Sequence, residues 1–195
     1  MPNANAPTGL TPRRYRNGSP WMGAARQYFV AASDATALYV GDPVVITAST
    51  DTTGHAQVTR ATAGASNRIT GVVVGFRPSA PMQSAYPARP ASQAGYVLVA
   101  DDPDLLFEIQ ENAATDGAAL TAAAMGKNVN LIAGTGGANG SGFMIDSTSA
   151  ATTNTGQLRV VELQRRTDNV IGAYAKWLVA INQPTETGAA GSTGV

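Results

Sequence analysis

Hydrophobic and polar positions along the chain alternate in short stretches, and turn residues separate them. The best patterned stretch is Tyr96 to Gln110. Tyr96 to Ala100 is an unbroken apolar run, short and β-branched enough to predict a strand buried on both faces. Leu105, Phe107 and Ile109 then alternate with Leu106, Glu108 and Gln110, the period of a strand with one face covered. Between them Asp101, Asp102, Pro103 and Asp104 break any ladder, because proline lacks an N–H and aspartate favours turns.

Similar patterns predict strands over Gln27 to Val30, Leu38 to Val40, Val44 to Thr47, Gln57 to Arg60 and Ile69 to Phe76. Asp51 to Gly54 supplies hairpin-turn residues, and Gly71 and Gly75 mark bulges or close backbone approaches. Residues 77 to 95 hold four prolines and no pattern, which predicts a long loop and a contact surface. Asp116 as N-cap and Ala118 to Met125 predict one short helix of a turn or two, stopped at Gly126 and Lys127. Val129 to Ile132, Phe143 to Ile145, Arg159 to Gln164 and Tyr174 to Ile181 complete the strands, the last with Trp177, Val179 and Ile181 on one face.

The fold class is therefore all-β: an antiparallel β-barrel or jelly-roll-like sandwich of about eight strands over residues 27–182. An extended N-terminal arm, residues 1–26, precedes it, and residues 183–195 read as a flexible polar tail. Pro2, Pro7, Pro12 and Pro20 with Gly9, Gly18 and Gly23 favour extended backbone in the arm and forbid a helix. No fixed-period repeat supports a solenoid or propeller.

Composition sharpens the picture. Only 13% of the 195 residues are charged, against about a quarter in typical domains. Such a polar but uncharged surface suits a protein packed against other subunits. The net charge is zero, yet Arg13, Arg14, Arg16 and Arg26 precede the first acid, Asp34, leaving the remainder net negative by four. There is no cysteine, so disulfides and thiol chemistry are excluded. No run approaches the roughly 20 apolar residues of a membrane span, and no signal segment opens the chain.

Candidate chemistry is sparse. The single histidine, His55, falls in a hairpin turn without evident partners, so no serine or threonine gains a base and no enzyme is expected. The Asp101–Asp104 acids lack the glycine and distal glutamate of a calcium loop and read as a turn facing basic partners; no metal or cofactor is expected. Gly134 to Gly140 misses the dinucleotide fingerprint by one position and lacks a lysine-serine pair, so it reads as a plain loop. Four arm arginines could neutralise about four phosphates, too few for firm nucleic-acid binding. Arginine forks suit carboxylates equally, and with Tyr15 and Trp21 they make Arg13, Arg14 and Arg16 candidate protein-binding residues.

Leu10 to Trp21, Ala37 to Ile46, Tyr96 to Gln110 and Asp168 to Asn182 together resemble the cement (decoration) proteins of tailed bacteriophage heads. The similarity spans roughly residues 10 to 183 and lies in strand segments and general character. It implies a small β-barrel or jelly roll outside the shell that clasps neighbouring major capsid proteins and reinforces the DNA-filled head. It also implies homo-oligomers, a trimer favoured over a dimer, on the virion surface after assembly in the host cytoplasm. Arg13, Arg14, Tyr15, Arg16 and Trp21 are then the expected capsid-binding residues, with no membrane or direct nucleic-acid partner. The alternative is a head-fibre or tail module binding host-surface glycan, which requires exposed aromatics beside carboxylates.

Overall fold

A computed structural model of the chain describes residues 3–78, 88–186 and 191–195. The fold is all-β, as the alternation predicts, with the strands divided between a barrel and a separate sheet. Five strands close the barrel: β2 (Arg26–Val30), β5 (Ala56–Arg60), β4 (Pro43–Thr50), β6 (Gly71–Phe76) and β8 (Gly95–Ala100), in that order. All its pairings are antiparallel except β2 with β5, where Phe29 faces Gln57 in parallel and closes the ring. The sheet runs β1 (Thr11–Tyr15), β9 (Leu105–Gln110), β14 (Lys176–Ile181), β13 (Leu158–Leu163), β10 (Asn128–Val129), antiparallel throughout. Two ribbons complete the strands: β3 (Leu38–Tyr39) with β7 (Ala88–Arg89), and β11 (Leu131–Ile132) with β12 (Met144–Ile145).

Two cores follow from the alternation. Tyr28, Val30, Val44, Val58, Val73, Val97 and Val99 fill the barrel together with Leu38. Ile69, Val72 and Ala100 belong instead to the larger core, with Phe107, Ile109, Trp177, Val179 and Ile181 of the sheet. One wall of the barrel is thus packed on one face of the sheet. Within the barrel, Gly71 lets the start of β6 lie close against the end of β8: a Cβ there would lie 2.5 Å from the Ala100 carbonyl oxygen. Gly75 sits at the register shift between β6 and β8.

The two central strands exchange the roles expected of them. Tyr96 and Leu98 are only partly buried, so β8 has a single fully covered face. In β9 all six residues are buried, including Leu106, Glu108 and Gln110. The cover on that outer face is the N-terminal segment itself. Ala6 N–H donates to Gln110 Oε1 at 2.9 Å, and Gln110 Nε2 donates to Asn5 Oδ1. β1 then pairs with β9, placing Thr11 opposite Glu108 and Tyr15 opposite Leu105. A residue such as Pro12 fits there because β1 is the last strand of its sheet. Within residues 3–26, Asn5 and Ala6 are thus tied to β9 and Thr11–Tyr15 is a strand of the sheet, and Arg26 already opens β2.

Both sheet edges are closed. Arg14 bridges Pro20 beside β1, and Asn128 bridges Ala151 beside β10. Such covering removes the free ladder that invites strand addition.

Other differences have local causes. The segment expected to be helical forms two single 3-10 turns, Asp116–Ala118 and Ala122–Ala124, and a third lies at Ser147–Ser149. The Asp116 carboxylate caps no helix; it accepts from the Ala173 N–H at 2.8 Å. Residues 79–87 of the expected loop lie outside the described residues, but Ala88 and Arg89 form β7 rather than loop. Arg89 is fully buried and donates to the carbonyls of Gln93, Thr36, Ala31 and Asp34. In the expected tail, residues 191–195 are tied down: Asn128 Nδ2 donates to the Ser192 carbonyl, and the Gly194 N–H to that of Thr152.

Candidate docking surface

The arginines of the first 26 residues all have carboxylates of their own chain. Arg13 Nε donates to Glu108 Oε2 at 3.0 Å. Arg14 pairs with Glu162, Arg16 with Asp104 at 3.7 Å, and Arg26 with Asp101 at 3.5 Å. Glu108 is buried on the outer face of β9, and a second guanidinium, Arg166, reaches its other oxygen at 3.3 Å. Arg166 also forks onto Asp168, with contacts of 2.9 and 2.7 Å. The fork holds the Asp168 carboxyl below its ordinary range, and Arg166 is raised in return, first by the same contact. Tyr15 and Trp21 are partly buried against the larger core, and the indole Nε1 donates to the Ala24 carbonyl at 3.0 Å. Arg13, Arg14 and Arg16 thus have carboxylate partners within the chain while their side chains stay 41–48% exposed, and Tyr15 and Trp21 are half-buried, so all five expected capsid-binding residues still reach the surface.

The Asp101–Asp104 turn is engaged in the same way. The Tyr28 hydroxyl donates to Asp101 Oδ2 at 2.7 Å, and burial together with that bond pushes its pKa up to about 12. Asp102 accepts the Asp104 N–H and shapes the turn. Among the described residues no group of histidine, aspartate and glutamate is arranged to hold a metal ion. His55 sits at the β4–β5 hairpin, where its Nδ1 lies 2.9 Å from Thr53 Oγ1 and its ring meets Tyr96 edge-on. Burial pushes the neighbouring Asp51 up, but bonds from Thr53, Tyr96 and the His55 N–H outweigh it and hold the carboxyl well below the usual range. The cluster staples a hairpin tip. In the glycine loop, Gly136 packs on the Tyr39 ring so closely that a Cβ would overlap it.

A wide concavity lies elsewhere, at the end of the sheet where β13 turns into β14. It is an open groove of about 710 Å³ floored by Leu163, Trp177 and Ile171, with Met125 and Ala122 on one side. Glu162, Arg165 and Arg166 form its polar rim. Met125 is 47% exposed and Ile171 46%, and the neighbouring Val170 is 54% exposed. Val161 joins them because it is the extra residue of a bulge: Val160 faces Val179 and Glu162 faces Leu178. Asn3 anchors the loop beside the groove, donating to the Val170 and Ala173 carbonyls and accepting the Val170 N–H. Glu162 and Arg166 have ion-pair partners, whereas Arg165 has no carboxylate partner among the described residues.

Sequence reasoning passed over this groove. Its residues come from three separate stretches, and the one local signal was the apolar doublet Val170-Ile171 inside an otherwise polar loop. Comparison with protein-family models, with curated proteins and with solved structures found no match to this chain.

Proposed function

We propose that this chain is a structural protein of a tailed-phage head, a cement protein that binds the outside of the capsid and ties neighbouring major capsid proteins together. The observation that carries this reading is where the four resembling stretches meet. Leu10 to Trp21 contains β1, which pairs with β9 of the Tyr96 to Gln110 stretch. β9 pairs in turn with β14, which lies within Asp168 to Asn182. Ala37 to Ile46 is joined to the first stretch where the Leu10 N–H donates to the Gly41 carbonyl at 3.0 Å. Gly9 and Gly41, both at positive φ, let those segments cross without Cβ atoms between them. The resemblance therefore describes one connected part of the molecule.

Closed sheet edges and a surface poor in charge support the same role, since a clamp must resist distortion and lose water cheaply at its contacts. The arm arginines keep much of their side chains exposed, 42% for Arg13, 41% for Arg14 and 48% for Arg16, so the surface they form with Tyr15 and Trp21 supplies the attachment to the shell. Copies of the chain, in threes rather than twos, are the further partners, and the site of action is the outer face of the virion.

The test mixes purified protein with heads stripped of it and images them in negative stain. Regularly spaced added density on the shell is the expected result; bare shells at saturating protein would overturn the reading.

A further inference from the structure

Two clefts at opposite ends of the five-stranded sheet are lined with opposite excess charge, one with Arg165 and Arg166 against Glu162 and the other with Asp101, Asp102 and Glu186 against Arg26. Register fixes the ends: Gln110 faces Lys176 at one, and Leu106 faces Ala180 towards the other. Six residues of strand separate them by about 17 Å. At the Gln110 end lies the apolar groove, with Arg165, which has no carboxylate partner among the described residues, on its rim; Lys127, likewise without one, lies outside the lining, two positions beyond Met125 and beside Val160. At the Leu105 end a cleft is lined by Arg26, Asp101, Asp102 and Glu186 around Pro103, three carboxylates against one guanidinium. Ala24 and Ala25 line the same cleft, and just before them Met22 projects into solvent, 85% exposed.

We infer that the groove is a socket for a second copy of this chain, which presents to it the acidic Asp101–Pro103 turn, Glu186 and the projecting Met22. Each surface has what the other lacks. The groove offers apolar floor and unpaired cations; the acidic end offers an unburied thioether side chain flanked by surplus carboxylates. Methionine is unbranched and adapts to an irregular apolar slot. Arg165 provides the fork that a carboxylate of Asp102 or Glu186 accepts, and desolvation at a contact strengthens such a bond.

The contact joins unlike surfaces. Repeated from copy to copy, it closes into a ring where the rotation permits, and a threefold ring is one such closure. The contact stands apart from the capsid reading and is tested on the protein alone.

Sedimentation equilibrium over a range of concentrations and salt gives the measurement. Two variants are needed: Arg165→Glu with Lys127→Glu reverses the socket, and Asp102→Lys with Glu186→Lys reverses the plug. Arg165, Asp102 and Glu186 are exposed and Lys127 is half-buried, and circular dichroism verifies that the fold is kept. The native chain is expected to exceed its 19.9 kDa monomer mass as concentration rises, and to return towards it as salt screens the contact. Each variant alone is expected to stay monomeric, and their equimolar mixture to associate again, because reversed socket then meets reversed plug. Met22→Ser is expected to weaken association of the native chain. A native chain that stays monomeric at low salt, variants that associate as the native chain does, or a mixture that stays monomeric would each overturn the inference.

Discussion

Arg14 on β1 is ion-paired with Glu162 on β13, although β9 and β14 lie between their strands. The guanidinium therefore crosses the outer face of the sheet, where Leu106 and Leu178 are 3% exposed. Its aliphatic stem belongs with those leucines, and its charge with the carboxylate beyond them. As both side chains of the pair remain partly exposed, the ion pair itself contributes no more than about 1 kcal/mol. The larger effect is cover.

Removal of residues 1–24 is accordingly expected to damage the sheet. It strips β1 from β9, bares Leu106 and Leu178, and deletes Leu10, which is 1% exposed in the larger core. Leu10→Ala alone should lose about 2–5 kcal/mol in urea unfolding, the range for a buried leucine truncated to a cavity. The truncated chain should unfold far below the full chain or aggregate through its opened edge. A truncated chain that melts within about 2 °C of the full one would show that the segment is a passenger.

Glu108 sits between two guanidiniums, so either alone can hold it. Arg13→Ala and Arg166→Ala should each be mild, while the double variant leaves a buried carboxylate unpaired. The expected outcome is a coupling of about 0.5–3 kcal/mol beyond the sum of the single changes. Additive losses in a double-mutant cycle would mean that the two arginines act independently.

Arg89 is held differently, by four backbone carbonyls and no carboxylate contact. Burial pulls its pKa below the ordinary arginine value, with Asp34 opposing. Arg89→Lys keeps the charge but loses the fork, leaving buried carbonyls unpaired at about 1–3 kcal/mol each. A chemical-denaturation midpoint unchanged by this substitution would contradict its role as the tie between the β3–β7 ribbon and the 31–36 loop.

Glu111 is fully buried; it accepts from the Trp177 indole at 3.0 Å and from the Leu120 N–H at 2.7 Å. Burial raises its pKa above the ordinary 4.5, and the two hydrogen bonds only partly offset it. The unfolded chain therefore ionises this group first, and its contribution to stability falls as pH rises from about 4.5 towards the raised value. Asp42 is shifted the same way, burial again leading. Glu111→Gln removes the titration. Measured by urea unfolding, the native chain should gain stability relative to this variant between pH 7 and pH 5. Parallel pH profiles would assign the buried carboxyl no such part.

Much of the barrel and one strand pair of the sheet were legible in the sequence because these strands obey simple alternation between turn signals. The Asp51–Gly54 hairpin, β2, β6 and the β13–β14 pair stand where the pattern places them. β1 was hidden: its residues are mostly charged or proline, and its one deep anchor, Leu10, lies just outside the strand. The same omission misassigned β9, since alternation marks Glu108 and Gln110 as facing water and cannot show that the chain's own beginning covers them. Arg89 and Glu111 look like surface residues by type, and only tertiary partners make their burial tolerable. The groove is assembled from the loop at Met125, the end of β13 and the loop at Ile171, so no window of sequence contains it.

The central claim is attachment to a capsid, and the most direct measurement is the amount of protein that sediments with heads lacking it, followed by the temperature at which those heads rupture. The expected result is saturation at a fixed number of copies per head and a higher rupture temperature once saturated. Failure to sediment with the heads, or uptake that grows without limit and leaves the rupture temperature unchanged, would contradict it.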